Sequence, residues 1–194
     1  MSLAIVKYNA GNIRSVQFAL QRLGVEALWT DEPAALRAAD KVIFPGVGEA
    51  SSAMQYLRER GLDAVLRGLR QPVLGICLGL QLFCRHSEEG DTSCLGIFDV
   101  EVRRFRSPGL KVPHIGWNTL SNLRGPLFEG VEDGNFMYFV HSFYAEMHPD
   151  MVAQTDYGVP FSAALQRENF FAVQFHPEKS GETSQRILKN FLKL

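Results

Sequence analysis

One of the three cysteines in the chain stands in a setting typical of a catalytic nucleophile. Cys77 lies between two glycines in Gly75-Ile76-Cys77-Leu78-Gly79, with apolar runs on both sides. This pattern predicts a strand, a sharp turn and a helix, with the sulfur at the tip of the strand. The N-terminus of the following helix favours the thiolate, which is the reactive form of the side chain. The alternative is a small buried cysteine in a glycine-rich turn.

A cysteine nucleophile needs a base and a group that orients the base. His176-Pro177-Glu178 follows the apolar run 171–175, which predicts that the histidine lies at the end of a strand. Side chains two residues apart in an extended segment point the same way, so Glu178 is expected to hold the His176 imidazole. In isolation, such a pair is more often a strand-end histidine beside a solvated glutamate. Because Cys77 also lies at a predicted strand end, we predict a Cys77-His176-Glu178 triad.

Acyl transfer also needs donors for the oxyanion that develops during the reaction. The backbone N–H of Leu78, directly after the nucleophile, is one natural donor. Pro45-Gly46-Val47-Gly48 ends another predicted strand, and its flexible glycines allow a second N–H to face the site. An ordinary strand-to-helix turn has the same pattern. Gln81 follows Cys77 by one helical turn, where it either contacts a polar substrate or faces solvent.

Short apolar runs alternate with helical patterns in the first half of the chain. The predicted strands are 3–7, 25–30, 41–45 and 72–76, and the helices between them are 12–23, 33–39, 51–60 and 62–69. After about residue 95 the chain changes to strands punctuated by Gly, Pro and Asn, before a final amphipathic helix over 184–194. We therefore predict one α/β domain over 1–194. Its open, mixed, mostly parallel sheet should carry helices on both faces and ligands beyond the carboxyl ends of its strands.

Composition excludes several classes of function. The 20 Lys and Arg residues balance 21 Asp and Glu residues, so no basic excess points to nucleic acid or a membrane surface. No apolar run approaches the roughly 20 residues of a membrane span. The N-terminus lacks the features of a secretory signal, and the cysteines form neither a disulfide framework nor a zinc motif. These features favour a reducing cytoplasm.

Three ordered segments resemble the class I, or triad, glutamine amidotransferases. The segments are Pro45-Gly46-Val47-Gly48, Gly75-Ile76-Cys77-Leu78-Gly79-Leu80-Gln81 and Gln174-Phe175-His176-Pro177-Glu178-Lys179-Ser180. The resemblance spans essentially the whole chain and implies a flavodoxin-like fold that hydrolyses glutamine to glutamate and ammonia, without a metal or organic cofactor. It implies that the Cys77 thiolate attacks the side-chain amide, that His176 transfers protons and that Glu178 orients His176.

The same resemblance implies roles for the residues around the triad. The backbone N–H groups of Val47 and Leu78 would form the oxyanion hole. The amino-acid end of glutamine would be held by four further residues, which are Gly48, Gln81, Ser142 and Phe143.

Further segments resemble the glutaminase subunits of imidazole glycerol phosphate synthase, an enzyme of histidine biosynthesis. The segments are Tyr8-Asn9-Ala10-Gly11-Asn12, Pro113-His114-Ile115-Gly116-Trp117-Asn118 and Tyr138-Phe139-Val140-His141-Ser142-Phe143-Tyr144. This resemblance implies that ammonia passes through a protected tunnel to a separate (β/α)8-barrel cyclase in a heterodimer. The cyclase makes imidazole glycerol phosphate and aminoimidazole carboxamide ribotide. A chain of 194 residues is too short to contain that barrel, which needs roughly 250 residues.

The resemblance places four residues at or near the subunit interface, namely Asn12, Trp117, Tyr138 and Lys179. Trp117 fits a protein core equally well, and we interpret His114 and His141 as structural or interface residues. Three alternatives stay open: a paralogous subunit that supplies ammonia to a surface-sugar synthase, a cysteine peptidase or deglycase of similar fold, and a non-catalytic scaffold subunit.

Overall fold

The computed structural model describes residues 1–9, 13–106 and 109–194. Its strands are β1 (Leu3–Val6), β2 (Leu28–Thr30), β3 (Lys41–Gly46), β4 (Val73–Cys77), β5 (His86–Ser87), β6 (Thr92–Ser93), β7 (Glu101–Arg104), β8 (His114–Thr119), β9 (Phe136–His141), β10 (Phe143–Ala145), β11 (Met151–Asp156), β12 (Pro160–Arg167) and β13 (Phe170–Val173). Its α-helices are α1 (Arg14–Arg22), α2 (Pro33–Ala38), α3 (Ala50–Glu59), α4 (Leu62–Arg67), α5 (Leu78–Phe83) and α6 (Gly181–Lys193). Short 3-10 helices occupy Pro126–Phe128 and Pro177–Lys179.

Seven strands form the central sheet, in the order β11-β12-β13-β4-β3-β1-β2. The strands from β13 to β2 run parallel, and β12 and β11 extend the sheet antiparallel at one edge. The predicted mixed, mostly parallel α/β sheet is therefore confirmed. β4, which carries Cys77, lies near the middle of this sheet between β3 and β13.

Alternate side chains of the buried strands enter two separate cores. Val42 and Phe44 of β3 pack with α2, α3, α4 and α5 on one face, whereas Ile43 packs with α1 and α6 on the other. Because successive side chains of a strand point to opposite faces, one continuous apolar strand serves both cores. The helices cover both faces of the sheet, as the sequence predicts. None of the described helices is both long and apolar enough to cross a bilayer.

The second half of the chain differs from the prediction of a single extended sheet. β11 and β12 do extend the central sheet, but β10-β7-β5-β6 form a second sheet and β8 and β9 form a separate hairpin. Periodicity identifies a strand but not the strand that it pairs with, because each of these strands buries one face whichever strand lies beside it. The two-residue strands β5 and β6 are polar and too short to give a periodic signal.

The predicted strand 25–30 is also too long at its start, because β2 begins at Leu28. The N–H groups of Gly24 and Val25 instead bond to the carbonyl groups of Gln21 and Leu20, so this segment closes α1. Gly24 has a φ of +73°, the left-handed conformation that commonly ends a helix.

Candidate active site

Cys77 occupies a strained turn between β4 and α5. Its backbone has a φ of 54° and a ψ of −105°, an unusual conformation for a residue with a side chain. A Cβ atom added to Gly79 would overlap the carbonyl oxygen of Phe44, and one added to Gly75 would lie 2.8 Å from the ring of Phe83. The flanking glycines are therefore required by close packing on both sides of the elbow. The sequence predicts this elbow correctly.

The structure joins His176 and Glu178 by a hydrogen bond of 2.8 Å between Nδ1 and Oε1. Both side chains are nearly excluded from solvent, with 3% and 4% of their surfaces exposed. The expected extended geometry of this segment is wrong, because Pro177–Lys179 form a 3-10 helix that starts at the proline. The pairing of the two side chains is nevertheless correct, since a tight turn also brings neighbouring side chains together.

Hydrogen bonds from strand β9 fix the segment that carries His176. The backbone N–H of His176 donates to the carbonyl oxygen of Tyr138 at 2.9 Å. The Ser180 hydroxyl accepts a hydrogen bond from the N–H of Tyr138 and donates to the carbonyl oxygen of His176. The segment after β13 that carries His176 is therefore also held in place by β9.

The electrostatics of the triad favour a charged imidazole. Burial of the ring opposes protonation, but the electrostatic effect of neighbouring Cys77, together with the hydrogen bond and charge of Glu178, raises the pKa of His176 to about 10. Within the described residues Nε2, the ring nitrogen not used by Glu178, makes no hydrogen bond of ordinary geometry. The arrangement suits an imidazolium that Glu178 holds through Nδ1 and that keeps one N–H free for a reacting group.

A cavity of about 290 Å³ opens beside Cys77. Its lining includes six of the residues predicted at the site, which are Val47, Gly48, Leu78, Gln81, Ser142 and Phe143. The register of β3 and β4 places Gly46 opposite Cys77, which brings the following Val47 beside the nucleophile. The Gln81 amide nitrogen donates to the carbonyl oxygen of Phe143 at 2.9 Å.

Three polar residues at the site were not assigned a role from the sequence. Glu89 lines the cavity and accepts a hydrogen bond from the N–H of Ala50, and burial raises the pKa of its carboxyl group. The Gln174 amide nitrogen lies 3.7 Å from the Cys77 sulfur. The Tyr8 hydroxyl is buried without a hydrogen-bond partner in the described part of the chain, and it fills the space beside Gly46. Gln174 and Tyr8 lie in recognisable motifs, whereas no local pattern marks Glu89.

The residues predicted at a subunit interface are partly exposed on the β8–β9 hairpin and beside it. Trp117 is 55% exposed, so it is not a core residue, and its ring contacts that of Tyr138 at 5.7 Å. Lys179 is exposed in the 3-10 helix next to Glu178. Asn12 lies outside the described residues.

The fold and the site together define a class of protein: an open α/β sheet with a cysteine elbow beside a cavity and a buried His–Glu pair that interacts with the cysteine. The chain belongs to the family of class I glutamine amidotransferases, whose family model matches residues 5–194. It is 60% identical to the imidazole glycerol phosphate synthase subunit HisH of Bacteroides fragilis strain YCH46, and each chain is fully covered. It is 45% identical to the protein of the same name from Escherichia coli strain K12, again over both full lengths.

Solved structures share the same fold at low sequence identity. A glutamine amidotransferase structure superposes with a TM-score of 0.76 at 21% identity, covering 98% of this chain and 97% of the other. A glutamine amidotransferase from Thermotoga maritima gives a TM-score of 0.65 at 16% identity, covering 100% of this chain and 83% of the other. These two similarities concern the fold alone.

Proposed function

We propose that this chain is the glutaminase subunit of an imidazole glycerol phosphate synthase in histidine biosynthesis. It hydrolyses glutamine to glutamate and ammonia within a single domain over residues 1–194. The observation that carries the assignment is the buried His176–Glu178 pair, whose imidazole interacts electrostatically with Cys77 at the elbow. Full-length identity of 60% to a synthase subunit supports the pathway.

The reaction starts with attack of the Cys77 thiolate on the side-chain amide carbon of glutamine. The backbone N–H groups of Leu78 and Val47 stabilise the oxyanion, since both residues line the cavity beside the sulfur. His176 donates its Nε2 proton to the departing ammonia as the C–N bond breaks, which leaves a glutamyl thioester on Cys77. It then accepts a proton from the water that hydrolyses this thioester. Glu178 keeps the ring oriented through Nδ1 and stabilises its positive charge.

The polar lining of the cavity suits the amino-acid end of glutamine. Ser142, Phe143 and Gly48 all line it. In this proposal, backbone groups of Ser142 and Phe143 bind the ligand, and Gly48 allows its close approach. Gln81 supports the Ser142–Phe143 segment, which forms one wall of the cavity, through its hydrogen bond to Phe143. Glu89 supplies the carboxylate that pairs with the substrate ammonium group, which explains why a buried acid lies at this position.

Ammonia passes to a separate (β/α)8-barrel cyclase that forms a heterodimer with this chain in the cytoplasm. The names of the full-length relatives include a synthase, which supports a complex of this kind. The exposed aromatic side chains of the β8–β9 hairpin provide a docking surface, because Trp and Tyr often anchor interfaces. Trp117, Tyr138 and Lys179 contact the partner in this proposal, together with Asn12.

The test is release of glutamate from glutamine by the purified chain, alone and with the cyclase and its ribonucleotide substrate. We expect little turnover by the isolated chain and strong stimulation by the partner, because the Gly46–Gly48 segment can change its backbone orientation. Cys77→Ala should abolish turnover without loss of assembly, whereas Cys84→Ala is the matched control, since Cys84 is buried outside the cavity. Undiminished turnover by Cys77→Ala contradicts the triad. Activity that appears only with a different synthase would assign the chain to another pathway.

A further inference from the structure

Two buried imidazoles form a hydrogen-bonded chain next to the cavity. His114 of β8 lies opposite His141 of β9 in the register of the hairpin. Nδ1 of His114 is 3.3 Å from Nε2 of His141, and Nδ1 of His141 is 2.7 Å from the carbonyl oxygen of Phe143. Only 3% of His114 and 6% of His141 is exposed. Neither ring touches Glu178, so the triad does not account for them.

The partners of these rings determine where their protons lie. Burial lowers the pKa of His141 to about 3 and that of His114 to about 4, so both rings are neutral at neutral pH. A carbonyl oxygen only accepts, so His141 carries its proton on Nδ1 and has a lone pair on Nε2. His114 must then donate from its own Nδ1. The chain of donors runs in one direction, from His114 through His141 to Phe143.

This series of hydrogen bonds ends at the Ser142–Phe143 wall of the cavity. The Phe143 carbonyl oxygen also accepts a hydrogen bond of 2.9 Å from the Gln81 amide, so donors occupy both of its lone pairs. The preceding carbonyl group, that of Ser142, accepts from the N–H of Phe105 at 3.1 Å. Hydrogen bonds therefore hold two consecutive peptide groups of the wall, and two of the donors, Gln81 and His141, themselves line the cavity.

The surroundings of His114 hold its ring in one plane. It stacks on Tyr157 with ring centroids 3.8 Å apart, and on Phe139 with centroids 5.1 Å apart. Stacking restrains the ring without using either nitrogen, so the direction of the Nδ1–H bond is fixed by packing. A phenyl ring can replace the imidazole in this stack and removes only the donor.

We propose that His114 and His141 are positioning residues that fix the Ser142–Phe143 backbone to bind the amino-acid end of glutamine. This inference rests on the proposed glutaminase function. His114 acts only through His141, and neither residue exchanges a proton with the substrate. Loss of the donor leaves the His141 lone pair unsatisfied and loosens the wall that binds the ground state, while the triad stays intact. The expected signature is weaker glutamine binding with little change in turnover.

The experiment compares His114→Phe, His114→Asn and Tyr157→Phe by glutamate release in the complex with the cyclase. Removing one buried hydrogen bond should raise KM for glutamine about tenfold in His114→Phe, with kcat within about twofold of wild type. Asn carries a donor close to the position of Nδ1, so the KM of His114→Asn should lie close to the wild-type value. Tyr157→Phe keeps the stack and removes only the hydroxyl that donates to the Lys111 carbonyl, so its KM should match wild type.

A second measurement does not depend on folding of the variants. Nitrogen NMR spectra of wild-type protein labelled at histidine should show two neutral rings, both protonated at Nδ1, at pH 7. A charged His141, or one protonated at Nε2, overturns the proposal. Unchanged KM in a folded His114→Phe, or a fall in kcat alone, also overturns it, since a purely structural role reduces only the active fraction. Absence of turnover by the wild-type complex instead refutes the proposed function itself.

Discussion

Replacing Glu178 by Gln tests the electrostatic contribution of the triad carboxylate. The substitution preserves the size of the side chain and an oxygen that can accept from Nδ1 of His176, but it removes the charge. A hydrogen bond to a charged group contributes about 1.5–3 kcal/mol, against about 0.5–1.5 kcal/mol for a neutral pair. The loss of about 1–2 kcal/mol corresponds to about one unit of pKa, so the pKa of His176 should fall from about 10 toward 9.

This magnitude predicts a moderate loss of activity. His176 stays protonated at pH 7 in Glu178→Gln, and the amide oxygen still selects the Nδ1–H form of the neutral ring. Turnover should therefore fall only about 5- to 30-fold, as the same 1–2 kcal/mol gives. The assays are glutamate release in the complex and a pH titration of the His176 ring nitrogens by NMR.

A second histidine–carboxylate pair provides the matched control for this substitution. His86 Nδ1 lies 3.2 Å from Oε2 of Glu101, outside the cavity, so Glu101→Gln should leave turnover and the pKa of His176 unchanged. Wild-type turnover in Glu178→Gln would refute the assigned role of the carboxylate. A loss beyond about a thousandfold with an unchanged pKa of His176 would refute the electrostatic argument, because the larger effect would then come from ring orientation alone.

Three other predictions concern stability and assembly. Gly79→Ala should lower the free energy of unfolding in urea by about 3 kcal/mol or more, because its Cβ would overlap a β3 carbonyl oxygen. Gly68→Ala should cost much less, because its Cβ would lie 3.3 Å from the nearest atom, the Ala64 carbonyl oxygen. The pKa of His176 in the folded protein, about 10, lies above the unfolded value of about 6.5. The protonated ring therefore stabilises the fold fully below about pH 6.5, and this contribution is lost as the pH rises through about 10. His176→Gln should remove this part of the pH dependence of stability. Trp117→Ala should weaken partner binding by about 2 kcal/mol in a titration without reducing thermal stability, whereas exposed Phe18 on α1 is a control position that should tolerate Ala.

Much of the site could be predicted from the sequence because its chemistry lies in local motifs. The strand, turn and helix around Cys77 leave a continuous signature, and the pairing of His176 with Glu178 needs only two residues of separation. The parallel half of the sheet follows from the regular alternation of strands and helices. The backbone conformation between His176 and Glu178 is harder to predict, because a proline at the end of a strand is compatible with either an extended segment or a 3-10 turn.

The remaining features depend on contacts between distant segments. Glu89 reaches the cavity because a short polar hairpin, β5–β6, folds back toward the N-terminus of α3, where the carboxylate meets Ala50. The hydrogen-bonded chain from His114 requires the register of β8 and β9, which periodicity alone does not fix. The sequence predicts strands in the β8–β9 region but not their pairing, and it does not predict β5 and β6.

The β9 strand connects the exposed hairpin surface with the proposed catalytic base, His176. Tyr138 contacts the exposed ring of Trp117, and its backbone carbonyl accepts the N–H of His176. Three residues farther along the same strand, His141 holds the glutamine-binding wall through the Phe143 carbonyl. β9 pairs with β8 along one edge and bonds to the His176 segment through Tyr138 on the other, so a partner that docks on the hairpin contacts the strand that links the proposed base with the wall. This arrangement gives a physical reason to expect that the complete complex, rather than the isolated chain, has the geometry needed for turnover.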